Sequence, residues 1–187
     1  MKLSGKKIMI LATHGFEQSE LEVPRDRLEA AGATVDIVSL EKGQIKGWDK
    51  KDWGRPVPVD RALSDVSADD YDALVLPGGQ INPDLLRINE DALRMILSFY
   101  NQSKVIAAVC HAPWLLIETG IIKGRKATSY KSIRTDVINA GGIWQDSKVV
   151  TDQGIITSRN PGDLEAFSEK IIEEVSEGRH TGRRRAA

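Results

Sequence analysis

The chain is poor in the residues that staple small folds or hold metals. Its 187 residues include one cysteine and three histidines, and aromatic residues make up 5%. A single cysteine excludes an intramolecular disulfide and a cysteine-based structural zinc site. The histidines form no cluster at metal-ligand spacing, so neither a metal nor another cofactor is expected. A free thiol fits a reducing, cytoplasmic compartment. An excess of either charge is also missing: Lys and Arg number 26 against 27 Asp and Glu, for a net charge of −1. No global field therefore draws nucleic acid or acidic partners. Long hydrophobic runs are absent too. The N-terminal MKLSGKKIMILATHGFE holds an apolar run of about seven residues, too short to span a membrane and without a small-residue cleavage site. It reads as a first strand, and no membrane partner is expected.

What is present is a regular alternation. Strand-like stretches at Lys7–Ala12, Thr34–Leu40, Ala73–Leu76 and Val105–Val109 interleave with helical spacing over Glu17–Ala31, Asn89–Tyr100, Lys131–Ala140 and Asp163–Val175. A hairpin is expected at Lys148–Val150 and Ile155–Ser158 around Asp152-Gln153-Gly154. Such alternation predicts an α/β fold, a mainly parallel sheet with helices on both faces, in one domain over 1–176. The basic residues 177–187 are expected to form a solvated, disordered tail. In a parallel sheet the functional crevice lies at the carboxyl ends of the strands. That rule selects Gly15-Phe16-Glu17, Pro77-Gly78-Gly79 and Cys110-His111.

Cys110 is the most informative of these. The apolar strand Val105–Val109 precedes it, and a helix opening at Pro113 and closing at Gly120 follows. A thiol at a strand-to-helix junction is where a nucleophile elbow puts its reactive side chain, and backbone N–H groups there favour a thiolate. His111 can serve as its base. Gly78 and Gly79 can turn N–H groups toward a substrate oxygen, or simply end a strand. Glu17 can act as a protonated donor to sulfur or as an ordinary first-turn acid. His14 can line the pocket or face solvent. Trp114 can be pocket wall, interface or core. Arg159 can reach the site mouth, or belong to a plain strand-to-helix connection.

Several motifs in order resemble one family. KIMILATHGFEQSEL, the tryptophan-bearing segment 44–59, ALVLPGG, AVCHAPW, GRKATSY, INAGG and TSRNPGDL are similar to the PfpI-type intracellular peptidases and protein deglycases of the ThiJ/PfpI superfamily. The resemblance runs from Lys7 to about Val175. It implies a flavodoxin-like three-layer sandwich related to class I glutamine amidotransferases. It implies Cys110 as nucleophile, His111 as its partner, Glu17 as the acid touching sulfur, and Gly79 with the His111 backbone as oxyanion donors. A third triad member, in the family a glutamate reached across a subunit interface, falls on Asp84, one methylene shorter; Asp84 can instead be a helix N-cap. Ala112 stands where many members have glycine. The resemblance also implies a homodimer or hexamer, with residues 44–59 at an interface or packed on their own domain.

For function, a thiolate, a neighbouring histidine and an oxyanion hole suit acyl transfer or addition to reactive carbonyls. The favoured expectation is a stress-response enzyme acting on methylglyoxal or glyoxal and their adducts on protein or peptide amines. Two alternatives are hydrolysis of small peptides and a non-enzymatic redox sensor or chaperone.

Overall fold

The computed structural model describes residues 1–182. The elements run β1 (Lys7–Leu11), α1 (Gln18–Ala30), β2 (Thr34–Ser39), β3 (Gly43–Asp49), β4 (Asp52–Val59), β5 (Arg61–Ala62), β6 (Ala73–Leu76), α2 (Ile81–Leu86), α3 (Glu90–Asn101), β7 (Val105–Val109), α4 (Pro113–Glu118), β8 (Lys126–Ala127), α5 (Arg134–Asn139), β9 (Ile143–Trp144), β10 (Val149–Asp152), β11 (Ile155–Ser158) and α6 (Leu164–Glu177). A seven-stranded sheet has the order β10-β11-β7-β6-β1-β2-β5. Every pairing in it is parallel except β10 with β11.

The sheet is covered on both faces, which explains its near-continuous apolar strands. Successive side chains point to opposite faces. Ile8, Ile10, Ala107 and Val109 meet Leu21 and Leu28 of α1 and Phe167 and Ile171 of α6. Met9, Leu11, Leu74, Leu76 and Ala108 meet Ile96 and Phe99 of α3 and Leu115 and Leu116 of α4. Each such large side chain, wholly withdrawn from water, contributes roughly 1.5–3 kcal/mol. The three-layer α/β sandwich is thus as the sequence pattern predicts.

Four local features depart from the sequence reading. The helix expected over 131–140 opens as a 3₁₀ turn, Lys131–Ile133, before α5. Residues 44–59 form an antiparallel hairpin, β3–β4, folded back over the β1–α1 loop. Gly15 N–H donates to Lys46 C=O at 2.8 Å and Trp48 N–H to Phe16 C=O at 2.6 Å. Its tryptophans pair edge to face, Trp48 against Trp53 with ring centroids 5.7 Å apart. The hairpin thus packs on its own domain, with Trp53 left exposed. Asp84 lies inside α2, whose N-cap is Gln80, so the N-cap reading of Asp84 does not hold. Finally, residues past 177 make contacts with the domain. α6 runs to Glu177, and beyond it the His180 N–H donates to the Ser103 carbonyl at 2.9 Å. His180 Nε2 also lies 3.1 Å from the Glu174 carboxylate. The rest of the expected tail, 183–187, lies outside the described residues.

Candidate active site

The site is built at the carboxyl ends of β1, β6 and β7. β7 ends at Val109, and Cys110 follows with φ +64°. This left-handed conformation is one that a side-chain-bearing residue rarely adopts; it costs about 1 kcal/mol and is held only where surroundings impose it. Here the Cys110 N–H donates to Ser158 C=O at 3.0 Å and its carbonyl accepts from Tyr130 N–H at 2.8 Å. β11 and the 129–130 segment thus clamp the elbow from both sides. Pro113 then opens α4, at a position where its missing N–H is harmless.

His111 Nδ1 lies 3.2 Å from Cys110 Sγ, and its Nε2 lies 3.0 Å from Ser132 Oγ. The Tyr130 ring stacks on the imidazole with centroids 4.9 Å apart, and Trp114 meets it edge-on at 5.2 Å. Burial lowers the His111 pKa, so the ring is neutral and able to accept a proton at neutral pH.

The acid at the sulfur is Glu20, not Glu17. Glu17 is the N-cap of α1, half-buried on the cleft wall, with its pKa raised by burial. Glu20, one turn further on, is fully buried and interacts with the Cys110 thiol. Its Oε2 accepts from Gly78 N–H at 2.8 Å. Burial drives its pKa from 4.5 up to about 8, so at neutral pH the carboxyl keeps its proton and can donate it toward sulfur. Burial pushes the Cys110 thiol up, and an ionised Glu20 pushes it further. The Gly79 and His111 N–H groups at the sulfur act the other way. With Glu20 protonated, three donors face the sulfur and no like charge opposes a thiolate.

The two glycines divide their work. Gly79 has φ +78°, and a Cβ there would collide with the Gly15 carbonyl and approach Glu17 N to 2.8 Å. Its N–H sits at the sulfur and the Glu20 carboxyl, beside that of His111, where an oxygen on a carbon bound to Cys110 would meet it. Gly78 donates to Glu20 and so is not an oxyanion donor; a Cβ on it would lie 2.6 Å from Glu20 Oε2 and 2.7 Å from Cys110 Cβ. Gly78 is needed for close approach.

A cleft of about 730 Å³ opens onto the sulfur, lined in part by Glu17, Trp48, Asp49, Gly79, Ile81 and Tyr130. His14 is outside it. That side chain is exposed, and its Nδ1 accepts from Lys46 N–H at 3.1 Å. Trp114 backs His111 from outside the cleft, its indole N–H donating to Asp136 at 2.8 Å. Asp84 is exposed on α2, and within the chain the outer nitrogen of His111 goes to Ser132 instead. Arg159 is committed elsewhere, 2.8 Å from Asp163 and 2.7 Å from Asp146.

Sequence reading missed Glu20 and Ser132. Helical phase is the signal for Glu20: with Pro24 and Leu28 it forms an i, i+4, i+8 line on the buried face of α1. Nothing local marks Ser132, which a turn far along the chain brings to His111. Among the described residues no group of His, Cys, Asp and Glu is arranged to hold a metal, and no helix is long and apolar enough to cross a membrane.

The chain is similar to known proteins. Residues 6–174 match the model of the DJ-1/PfpI family. Deglycase PfpI of Pyrococcus furiosus is 43% identical over 166 residues, 89% of this chain and 97% of that protein. General stress protein 18 of Bacillus subtilis is 40% identical over 170 residues, 90% of this chain and 96% of that one. The crystal structure of Drosophila melanogaster DJ-1beta superposes with a TM-score of 0.84 at 31% identity, covering 91% of this chain and 90% of that one. The chain belongs to the DJ-1/PfpI family.

Proposed function

We propose that the protein is a cysteine-dependent deglycase and glyoxalase, removing methylglyoxal or glyoxal, free or as early adducts on amines. The observation that carries this reading is the sulfur of Cys110 set among a protonated carboxyl, a neutral imidazole and two backbone N–H groups, at the base of an open cleft. The name of the Pyrococcus relative supports it. A reducing compartment fits the unpaired thiol.

The chemistry balances without an external oxidant. The thiol adds to the aldehyde carbon of methylglyoxal, giving a hemithioacetal whose oxygen is stabilised by Gly79 and His111 N–H. His111 removes the proton from that carbon and the neighbouring carbonyl carbon is reprotonated. The aldehyde carbon is thereby oxidised and the ketone carbon reduced. Water cleaves the resulting thioester, releasing lactate and the free thiol. For an early amine adduct, a hemiaminal at the aldehyde carbon, the sulfur replaces nitrogen at that carbon and the amine leaves with the thiol's proton, giving the same hemithioacetal. Ser132 holds the far side of the imidazole during the proton transfer.

Self-association belongs to the same proposal. α2 and the turn that follows it present Ile81, Leu85 and Ile88, exposed at 41, 42 and 80%. A stripe of that kind on a soluble chain suits a second copy, and pairing there places Asp84 at the seam. Sedimentation of the parent and Ile88→Glu tests this, the variant being expected to shift toward monomer.

The functional test is product identification with metal-stripped enzyme. Lactate from methylglyoxal with the parent and none with Cys110→Ala supports the proposal. Absence of lactate with both, alongside hydrolysis of small peptides, replaces it with the peptidase reading.

A further inference from the structure

We propose that the cavity beyond Tyr130 is an oxyanion-binding subsite for the distal end of the substrate, an inference that rests on the carbonyl-adduct reading above. A second hollow, about 470 Å³, lies against the active-site cleft, and Tyr130 lines both. The wall is continuous on the other side as well, with Pro161 in the cleft and Asn160 in the hollow. A molecule whose carbonyl sits at Cys110 and whose body passes over Tyr130 enters this space.

The charges in the hollow are uneven. Arg159 is neutralised by Asp146 and by the buried Asp163. Lys131 and Arg134 are exposed lining residues on the 3₁₀ turn and the start of α5, and neither is in an ion pair among the described residues. The Arg134 guanidinium lies over the Trp144 ring, 5.3 Å from its centroid, which holds it over the hollow without consuming its charge. The indole N–H of Trp144 is in turn fixed on Ser129 Oγ at 3.0 Å. The nearer cleft has the opposite bias, with Glu17 and Asp49 on its walls against a single cation, Lys50. A substrate bearing a carboxylate or phosphate is therefore turned with that group toward Lys131 and Arg134, and its amine side toward the acids. Free methylglyoxal is too small to reach the subsite, so the preference belongs to adducts.

The test compares matched pairs. One is the methylglyoxal adduct of N-acetylarginine against that of N-acetylargininamide, which differ by a carboxylate. The other is the adduct of guanosine monophosphate against that of guanosine, which differ by a phosphate. For at least one pair, kcat/KM of the parent is expected to favour the anion by roughly tenfold, and Lys131→Ala/Arg134→Ala is expected to bring the ratio near one. Which pair responds identifies the source of the oxyanion. Equal ratios in parent and variant for both pairs overturn the subsite and leave the deglycase proposal standing. Binding is read separately, by titrating inorganic phosphate into Cys110→Ser protein carrying ¹⁵N-tryptophan. A saturable shift of the Trp144 indole N–H, lost in the triple variant, upholds the subsite even if no adduct is turned over. No saturable shift, with no adduct turned over, overturns both.

Discussion

Replacing Glu20 decides how the nucleophile is made. If the carboxyl is protonated and donates to sulfur, its removal costs the thiolate a hydrogen bond to a charged acceptor, about 1.5–3 kcal/mol. At 1.36 kcal/mol per pKa unit, Glu20→Ala then raises the apparent pKa of Cys110 by about 1–2 units. If the carboxyl were ionised instead, the same substitution would delete a like charge. At about 4 Å and an effective dielectric of 20 that repulsion is about 4 kcal/mol, so the pKa would fall by about 3 units. The two states predict opposite signs. Cys110 is the only cysteine, so alkylation by iodoacetamide across pH reports this thiol alone. Glu20→Gln, which keeps an acceptor for Gly78 N–H and a neutral donor, should lie between parent and Glu20→Ala. A lower Cys110 pKa in Glu20→Ala, or an unchanged one, refutes the protonated-donor arrangement.

Other consequences follow from the same geometry. The pKa of Glu20 is raised on folding, from 4.5 to about 8, so its stabilising protonation is fully present below 4.5 and is lost as pH rises through about 8. Urea unfolding should show the parent losing stability across that window, by at most about 5 kcal/mol, and Glu20→Gln should flatten the slope. Activity should rise as His111 loses its proton, below the ordinary histidine range, and fall above about pH 8 as Glu20 ionises; the alkaline limb should disappear in Glu20→Gln. Ser132→Ala removes a hydrogen bond worth about 1 kcal/mol from the imidazole, so kcat should drop roughly fivefold with little change in melting temperature. Gly79→Ala forces a side chain into a left-handed position facing the Gly15 carbonyl; both turnover and about 2 kcal/mol or more of stability should be lost, read by activity and chemical denaturation.

The sheet and the elbow were legible because each rests on a local pattern. Val105–Val109, Cys110 and Pro113 form a contiguous strand-turn-helix signal, and the structure places them as that signal predicts. Pro77-Gly78-Gly79 was legible as a strand end at the site, although only the Gly79 N–H reaches the sulfur while that of Gly78 goes to Glu20. The acid was misplaced by one helical turn. Glu17 adjoins the loop that points at the site, whereas Glu20 is selected by the phase of α1 against the sheet, a tertiary property. The β3–β4 hairpin was hidden by Pro56 and Pro58, residues that argue against a central strand; β4 tolerates them because it pairs with β3 alone. Ser132 and the free charges of Lys131 and Arg134 depend on contacts between segments far apart in sequence, where periodicity carries no information.

The central claim is that Cys110 acts on carbonyls through its own thiol chemistry. The most direct measurement is lactate formed from methylglyoxal by metal-stripped protein, parent beside Cys110→Ala. Steady lactate production by the parent, absent in the variant, is the predicted result; equal rates in the two, or none in the parent while its thiol still alkylates readily, would contradict it.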